Sequence, residues 1–337
     1  MIRMPAEWER HEAVWLAWPY DPVTFPGRVE KVERIFAQII KALSESERVE
    51  LLFRDVKQHS HILQNVGVLD NVRFHEVDYA DVWTRDYAPM FVVDDEKKQV
   101  AAVKWIYDAY GKKFPTLLKD NETGNAIADG LGIQKMEPGM VLEGGAIEVN
   151  GQGTLITTEQ CLVKRNPRLS KEQMEKYFQD YLGISKTIWL KEGIAADHTD
   201  GHIDDFVRFV AEDTVLCAYE DDQTDPNYPI LKNAFQILQQ ASDQDGKPFK
   251  IIKMPMPRMN SETDVRGEGT RLPVSYVNFY IGNEIVLAPT FNHANDKQAL
   301  EIIKNLFPGR KVTGIDCSDM IYGGGAIHCA TREQPLI

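Results

Sequence analysis

A module of two hairpin-connected strands, a helix and a further strand recurs along this chain, and that repetition limits the fold more than any single motif does. The clearest copy begins at SYVNFYIGNEIVLAP, where Gly282-Asn283 separates two β-branched and aromatic runs and predicts a tight hairpin. HANDKQALEIIKNLF follows with Leu300, Ile303, Leu306 and Phe307 at helical spacing, and then the strand KVTGIDC. A second copy starts at LEGGAIEVNGQGTLIT, with Asn150-Gly151 opening its turn. Its helix is announced by Ser170 and Gln173, a capping-box pattern, and TIWL closes it. A third runs from GHIDDFVRFVAEDTVLCAYE through the helical PILKNAFQILQQ to FKIIKMP, and a fourth from WTRDYAPMFVVDDEKKQVAAVKW to a helix near Phe114 to Leu131.

The fifth copy is split between the two ends of the chain. GGGAIHCAT reads as one strand and EAVWLAWP as its neighbour. Val29, Val32, Ile35, Phe36, Ile39, Ile40 and Leu43 mark an amphipathic helix before VELLF. Here another helix and the strand VRFHEV intervene before WTRD. The likeness of EGGAI (143–147) to GGGAI (323–327) supports repetition. Regular repeats that close on themselves predict a toroidal α/β arrangement of ββαβ modules, one catalytic domain over residues 1–337, in which equivalent module ends meet on the axis. A two-domain α/β enzyme is the alternative.

At 337 residues the chain can bury a large core, and its 43% hydrophobic and 26% charged content are those of a globular protein. No run approaches the ~18 apolar residues that span a bilayer. The opening MIRMPAEWERHEAVW carries acids and a proline where a signal peptide needs an apolar run, so a cytoplasmic protein is expected. Acids outnumber bases 51 to 38. That disfavours nucleic acid, which is bound by neutralising phosphates, and suits a small cationic substrate. Cys161, Cys217, Cys317 and Cys329 form no CxxC pair or Cys/His knuckle, so they read as free thiols, the first three as packing groups.

Four short polar segments carry the chemistry: WTRD (83–86), LEGG (142–145), GHID (201–204) and GGGAIHC (323–329). In HTDGHID, His198 and His202 stand four apart, as on a metal-binding helix. Thr199-Asp200-Gly201 is turn chemistry instead, and no third ligand has suitable spacing, so no metal or other cofactor is expected. His202 is read as an acid/base group at a strand end, with Asp204 on the same face two residues on; a structural histidine is the plainer alternative. Taken alone, Asp86 could pair with Arg85, Glu143 could be a turn acid and Cys329 a packing thiol.

Taken together they form a kit for attacking a guanidinium. That group is planar and cationic, and its N–H fork matches carboxylates, so Asp86 and Asp204 can clamp it beside the Cys329 thiol. A bound cation or an imidazolium favours the thiolate that attack requires. His202 can protonate departing ammonia and then deprotonate the hydrolytic water, while Glu143 orients the imidazole and favours its cationic form.

WTRD, LEGG, TDGHIDD, RLPVSYVNFY and GGGAIHC, in this order, resemble the agmatine deiminases (agmatine iminohydrolases) of the peptidyl-arginine deiminase-like, guanidine-modifying superfamily; PAEWERHEAVWLAWP looks similar too. The resemblance implies a five-bladed α/β propeller, the pentein fold. It also implies hydrolysis of agmatine to N-carbamoylputrescine and ammonia, a step towards putrescine and polyamines. It makes Cys329 the nucleophile, His202 the acid/base group, Glu143 its partner, Asp86 and Asp204 the guanidinium acids, and Trp83 a substrate contact. It further implies a homodimer or higher homo-oligomer. CATREQP departs from relatives that carry glutamines after the nucleophile, which leaves the setting of Arg332 and Glu333 open.

The same chemistry could serve free arginine or peptidyl-arginine. An arginine enzyme needs a cation, such as Arg85 or Arg271, for the α-carboxylate. A non-catalytic polyamine-binding propeller is the rival from another class, and it has no use for the thiol.

Overall fold

In the computed structural model, which describes residues 2–261 and 270–337, the described strands form five small mixed sheets in an α/β fold. In chain order the strands are β1 (Ile2–Arg3), β2 (His11–Ala17), β3 (Arg48–Phe53), β4 (Val72–Glu76), β5 (Met90–Asp94), β6 (Gln99–Val103), β7 (Gln134–Met136), β8 (Ile147–Val149) and β9 (Thr154–Thr158). There follow β10 (Lys186–Leu190), β11 (Val207–Ala211), β12 (Thr214–Tyr219), β13 (Lys250–Pro255), β14 (Tyr280–Ile281), β15 (Ile285–Thr290), β16 (Lys311–Asp316) and β17 (Arg332–Pro335).

Each sheet contains an antiparallel pair followed by a parallel pair across a helix, as a ββαβ module requires, and two of the five sheets carry one strand more. The strand sets are β5-β6-β7, β8-β9-β10, β11-β12-β13 and β14-β15-β16, with β1 added to the edge of the first. The split module is present as well. The C-terminal β17 pairs antiparallel with β2 (Arg332 opposite Trp15), β2 runs parallel to β3, and β4 extends the sheet.

Local signals account for the covering helices. Helix Val29–Leu43 buries Val32, Ile35, Phe36, Ile39, Ile40 and Leu43, each contributing about 1.5–3 kcal/mol of transfer free energy. Helix Lys171–Leu182 starts with the reciprocal Ser170/Gln173 capping box and ends on Gly183 in the left-handed conformation. Helix Asp120–Gly130 fills the interval expected to be helical. Its Gly124 lies so close to the segment that leads into β5 of the same module that a Cβ there would stand 2.0 Å from the Tyr87 carbonyl oxygen.

Two local expectations are corrected. GGGAIHCAT is not a strand: Met320–Gly323 and His328–Ala330 are 3-10 turns, and strand geometry begins only at Arg332. Gly324 at φ 96° and Ile327 in the helical region break the extension. His202 and Asp204 do not share a face of an extended strand either. His202 precedes a 3-10 turn, Ile203–Asp205, which presents the carboxylate by a tighter path. The Thr199-Asp200-Gly201 turn is found, with Asp200 at φ 67° and Gly201 at φ 94°, so His198 and His202 do not lie on a helix.

Candidate active site

The five segments that lead into the first strand of each module meet in one place. They carry Trp83 and Asp86 ahead of β5, Glu143 ahead of β8, His202 and Asp204 ahead of β11, Asn278 ahead of β14, and Cys329 ahead of β17. All seven side chains are buried. Trp83, Asp86 and Cys329 line a narrow pocket of ≈ 10 Å³ with Tyr110, His198, Thr199 and Gly323–Gly325. A larger groove of ≈ 570 Å³, whose walls include Gln152, Glu212 and Asp213, lies at the hairpin-turn ends of the strands and contains none of these groups.

Gly145 shows how tightly the site closes. A Cβ there would lie 2.6 Å from His202 Nδ1 and 3.0 Å from both Asp204 Oδ1 and Asp86 Oδ1, so only glycine lets the three side chains converge. Its amide donates to Asp86 Oδ1 at 2.9 Å, while the Tyr110 hydroxyl donates to Oδ2 at 2.8 Å. Tyr110 reaches that position from a strained turn: Ala109, Tyr110 and Lys112, none of them glycine, all have φ near +60°. Cys329 Sγ lies 3.7 Å from Asp204 Oδ2 and 3.1 Å from Asn278 Nδ2.

His202 sits between two acids, with Nδ1 3.7 Å from Asp86 Oδ1 and Nε2 3.9 Å from Glu143 Oε2. Burial works against its charged form, but Asp86, Cys161 and Glu143 outweigh burial and hold the imidazole well above its ordinary pKa. Glu143 is itself fixed by Arg165, whose Nε donates to Oε1 at 2.7 Å. Burial would raise the Glu143 pKa, yet His202 and Arg165 bring it below the ordinary value. Burial raises the Asp86 pKa, with Asp204 adding to the rise and His202 opposing it. The Cys329 thiol is pushed well up by burial first and then by Asp204, Asp205 and Asp86.

Three fully buried polar atoms of this cluster have no partner within hydrogen-bond distance: Asp204 Oδ1 and the two His202 nitrogens, whose neighbouring acids stand 3.7 and 3.9 Å away. Leaving such groups unpaired costs about 1–3 kcal/mol each, so the site is built to be completed by donors and acceptors from elsewhere. The other Asp204 oxygen is held at 2.7 Å by His328 Nδ1, and His328 Nε2 reaches Glu7 Oε2 at 2.8 Å. Glu7 also pairs with Arg85 (3.1 Å) and Arg208 (2.9 Å).

Arg85 therefore points away from the pocket, towards Glu7 and, at 2.7 Å, Glu333. Arg271 is forked onto Asp225, both contacts at 3.0 Å. Arg332 donates to the Arg85 carbonyl and to Glu333, so both residues that depart from the familiar pattern after Cys329 turn away from the pocket.

Two triplets bring potential metal ligands within 4.8 Å of one another among the described residues: Glu143–Cys161–His202 and Asp204–Asp205–Cys329. His198 is in neither. A protonated His202 has no lone pair to give, and Arg165 already occupies Glu143, so the first suits a cation poorly. In the second, burial and then the neighbouring Asp204 hold the Asp205 carboxyl well above its ordinary value, and Asp205 Oδ1 already accepts from Asn278 Nδ2 at 3.1 Å, so it too suits a cation poorly.

The structure thus brings together Trp83, Asp86, Glu143, His202, Asp204 and Cys329. Sequence reasoning assigned nothing to Asn278, Arg165, Tyr110 or His328. Asn278 carried a signal, since it lies in RLPVSYVNFY and fills the position in its module that the other modules use for chemistry.

Comparison with known proteins supplies the context. Residues 3–335 match the Porphyromonas-type peptidyl-arginine deiminase family. A Legionella pneumophila (strain Paris) protein, provisionally named agmatine deiminase, is 36% identical over 98% of this chain and 95% of its own length. The solved structure described as agmatine deiminase of Enterococcus faecalis catalyzing its reaction is 32% identical, covers 99% of this chain and 96% of that one, and superposes with a TM-score of 0.92. A cysteine-to-serine variant of the C. Jejuni agmatine deiminase with substrate bound is 25% identical, with 99% and 96% coverage and a TM-score of 0.88. Near-complete coverage in both directions leaves no room for a partial or borrowed likeness, and the chain belongs to the Porphyromonas-type peptidyl-arginine deiminase family.

Proposed function

We propose that this protein is an agmatine deiminase, a hydrolase of linear amidine C–N bonds that converts agmatine and water to N-carbamoylputrescine and ammonia. The observation that carries the reading is the convergence of a thiol, an imidazole and three carboxylates in one buried cluster, in which Asp204 Oδ1 lacks a donor and from which Asp86 and Cys329 reach the pocket. The full-length likeness to agmatine deiminase structures supports the same reading. Asp86 and Asp204 take the guanidinium between them, supplying acceptors to its N–H fork. The cation offsets the acids that keep the Cys329 thiol protonated, so binding of substrate favours the thiolate.

Cys329 Sγ then bonds to the guanidinium carbon. His202, cationic between Asp86 and Glu143, gives its proton to one nitrogen as the C–N bond breaks and ammonia leaves. Water adds to the resulting amidino-cysteine after losing a proton to the same imidazole. Collapse breaks the C–S bond, and the hydroxyl proton passes to the departing sulfur as the urea forms, which restores the resting thiol and the imidazolium. The thiol proton released on substrate binding leaves through solvent with ammonia as ammonium. Glu143, braced by Arg165, keeps the imidazole oriented and charged. Trp83 offers an aromatic wall to the substrate, and none of these steps draws on a metal or organic cofactor.

Arginine is the less suitable substrate, because Arg85 and Arg271 are committed to Glu7, Glu333 and Asp225, and Lys113, which donates to the His198 carbonyl, is held by Asp200 at 2.9 Å. We read the five sheets as blades of a five-bladed α/β propeller forming one catalytic domain, and the four free thiols as those of a cytoplasmic protein. The product makes a role in putrescine and polyamine synthesis the natural one. A panel of agmatine, arginine, a peptidyl-arginine and dimethylarginine, scored for ureido product and ammonia, tests the assignment. Turnover of arginine above agmatine would overturn it.

A further inference from the structure

Four modules contribute the cysteine, the histidine and the acids; the fourth in chain order, built on β14, contributes none of them. Its equivalent position is Asn278, 1% exposed and two residues ahead of β14. The Asn278 Oδ1 accepts the backbone N–H groups of His328 (3.1 Å) and Cys329 (3.3 Å). Those two donors fix the amide orientation, since turning it over would set N–H against N–H. The NH₂ group must therefore face the other way, where it meets Cys329 Sγ at 3.1 Å and Asp205 Oδ1 at 3.1 Å. One side chain thus grips both the backbone and the sulfur of the same cysteine.

We propose that Asn278 is a side-chain donor to the reacting sulfur, beside the backbone N–H of Ala326: it fixes the position of Cys329 Sγ and stabilises its thiolate form. This inference rests on the assignment of Cys329 as nucleophile. A thiol accepts a hydrogen bond weakly, whereas a thiolate accepts strongly, so the Nδ2–H bond selectively favours the anion. The preference is needed here, because Asp86, Asp204 and Asp205 all act against negative charge on this sulfur. Asn278 differs in kind from Asp204, which approaches the same sulfur at 3.7 Å but offers it no proton as a carboxylate.

The test is the pH dependence of Cys329 alkylation by iodoacetamide, located by mass spectrometry in the absence of substrate. Asn278→Asp retains an oxygen for the two backbone donors, and Asn278→Ser is uncharged; thermal melts establish that each is folded. In both, the alkylation midpoint should move up by at least about one pH unit, and kcat should fall about ten- to a hundredfold, the worth of a hydrogen bond to a charged group, while KM holds. A folded variant with the wild-type midpoint and kcat would overturn the proposal. If neither folds, the wild-type protein decides: in an ¹⁵N-asparagine-labelled sample, one side-chain amide resonance should shift on Cys329→Ser substitution, and absence of any shift would equally overturn it. Because alkylation needs no substrate, a failed substrate panel with a displaced midpoint would sink the deiminase reading alone.

Discussion

At the scale of single residues, the three acids should fail in different ways. Asp86→Asn and Asp204→Asn replace a charged acceptor with an amide that faces donors with donors, removing interactions of about 1.5–3 kcal/mol each. Both should raise KM and lower kcat. Glu143→Gln leaves the clamp whole, so binding should persist while kcat falls. Agmatine affinity measured in a Cys329→Ala background separates these cases, and loss of binding in the Glu143 variant alone would reverse the division of roles. The histidine makes a pH prediction with a definite sign. Because its folded-state pKa is raised, His202 is protonated through neutrality, and kcat should fall as pH rises through that raised value. The stability that its charged form contributes is likewise fully present below the ordinary histidine pKa of about 6.5 and lost across the same upward interval. In Glu143→Gln the alkaline limb should move to lower pH; an unmoved limb would exclude the pairing.

What could be read at this scale divides by chemistry. Asp86, Glu143, His202 and Cys329 stood out because reactive side chains sat in short glycine- or turn-rich segments. Arg165 gave no such sign, being one basic residue in the helical run EQCLVKR; its role depends on Glu143 and Asp200 arriving from two other segments. Tyr110 was hidden for a different reason, since its approach to Asp86 depends on a left-handed backbone that no sequence pattern for tyrosine foretells. His328 is adjacent to the nucleophile, yet its partners Asp204 and Glu7 lie 124 and 321 positions away.

At the scale of elements, Arg165 ties helix Glu159–Arg165 to two site loops, through Glu143 Oε1 at 2.7 Å, Asp200 Oδ2 at 2.8 Å and the Thr199 carbonyl at 2.7 Å. Arg165→Met strands Glu143 without its buried partner and should cost roughly 3–5 kcal/mol of stability as well as most of kcat. Calorimetry with parallel assays would check this, and full activity would show the brace to be dispensable. Gly124→Ala should destabilise by roughly 1–3 kcal/mol, because the new methyl meets the Tyr87 carbonyl and not open space. A melting temperature equal to wild type would show that helix Asp120–Gly130 can simply step back. The hairpins and amphipathic helices were legible because period and turn residues agreed. The two strand ends at 202–204 and 323–329 were not, since glycine-rich, polar segments admit extended and 3-10 paths alike, and tertiary partners choose between them.

At the scale of the whole molecule, the repetition was legible, and so was the split copy that joins the two ends. That closure is testable. Removing residues 332–337 deletes β17, its pairing with β2, and the Glu333–Arg85 ion pair. The truncated protein should lose activity and melt several degrees lower, each lost kcal/mol being worth about 2–4 °C or less at this size. Removing Leu336 and Ile337 alone, both about half exposed at 44% and 47%, should change little. Equal melting of the two truncations would show that β17 is not a structural closure.

The strands also separate two ends that selection can treat independently. The β5–β6, β8–β9 and β11–β12 hairpins turn at residues 95–98, 150–153 and 212–213, and Asp95–Lys98, Gln152 and Glu212–Asp213 are exposed there. A five-residue strand stands between the first of these turns and the chemistry, about 16 Å of chain. For anyone wishing to add an epitope, a fluorophore or a tether, that rim is a set of attachment points already insulated from catalysis. A peptide spliced between Glu96 and Lys97 should leave turnover as it was while changing what the molecule is fastened to.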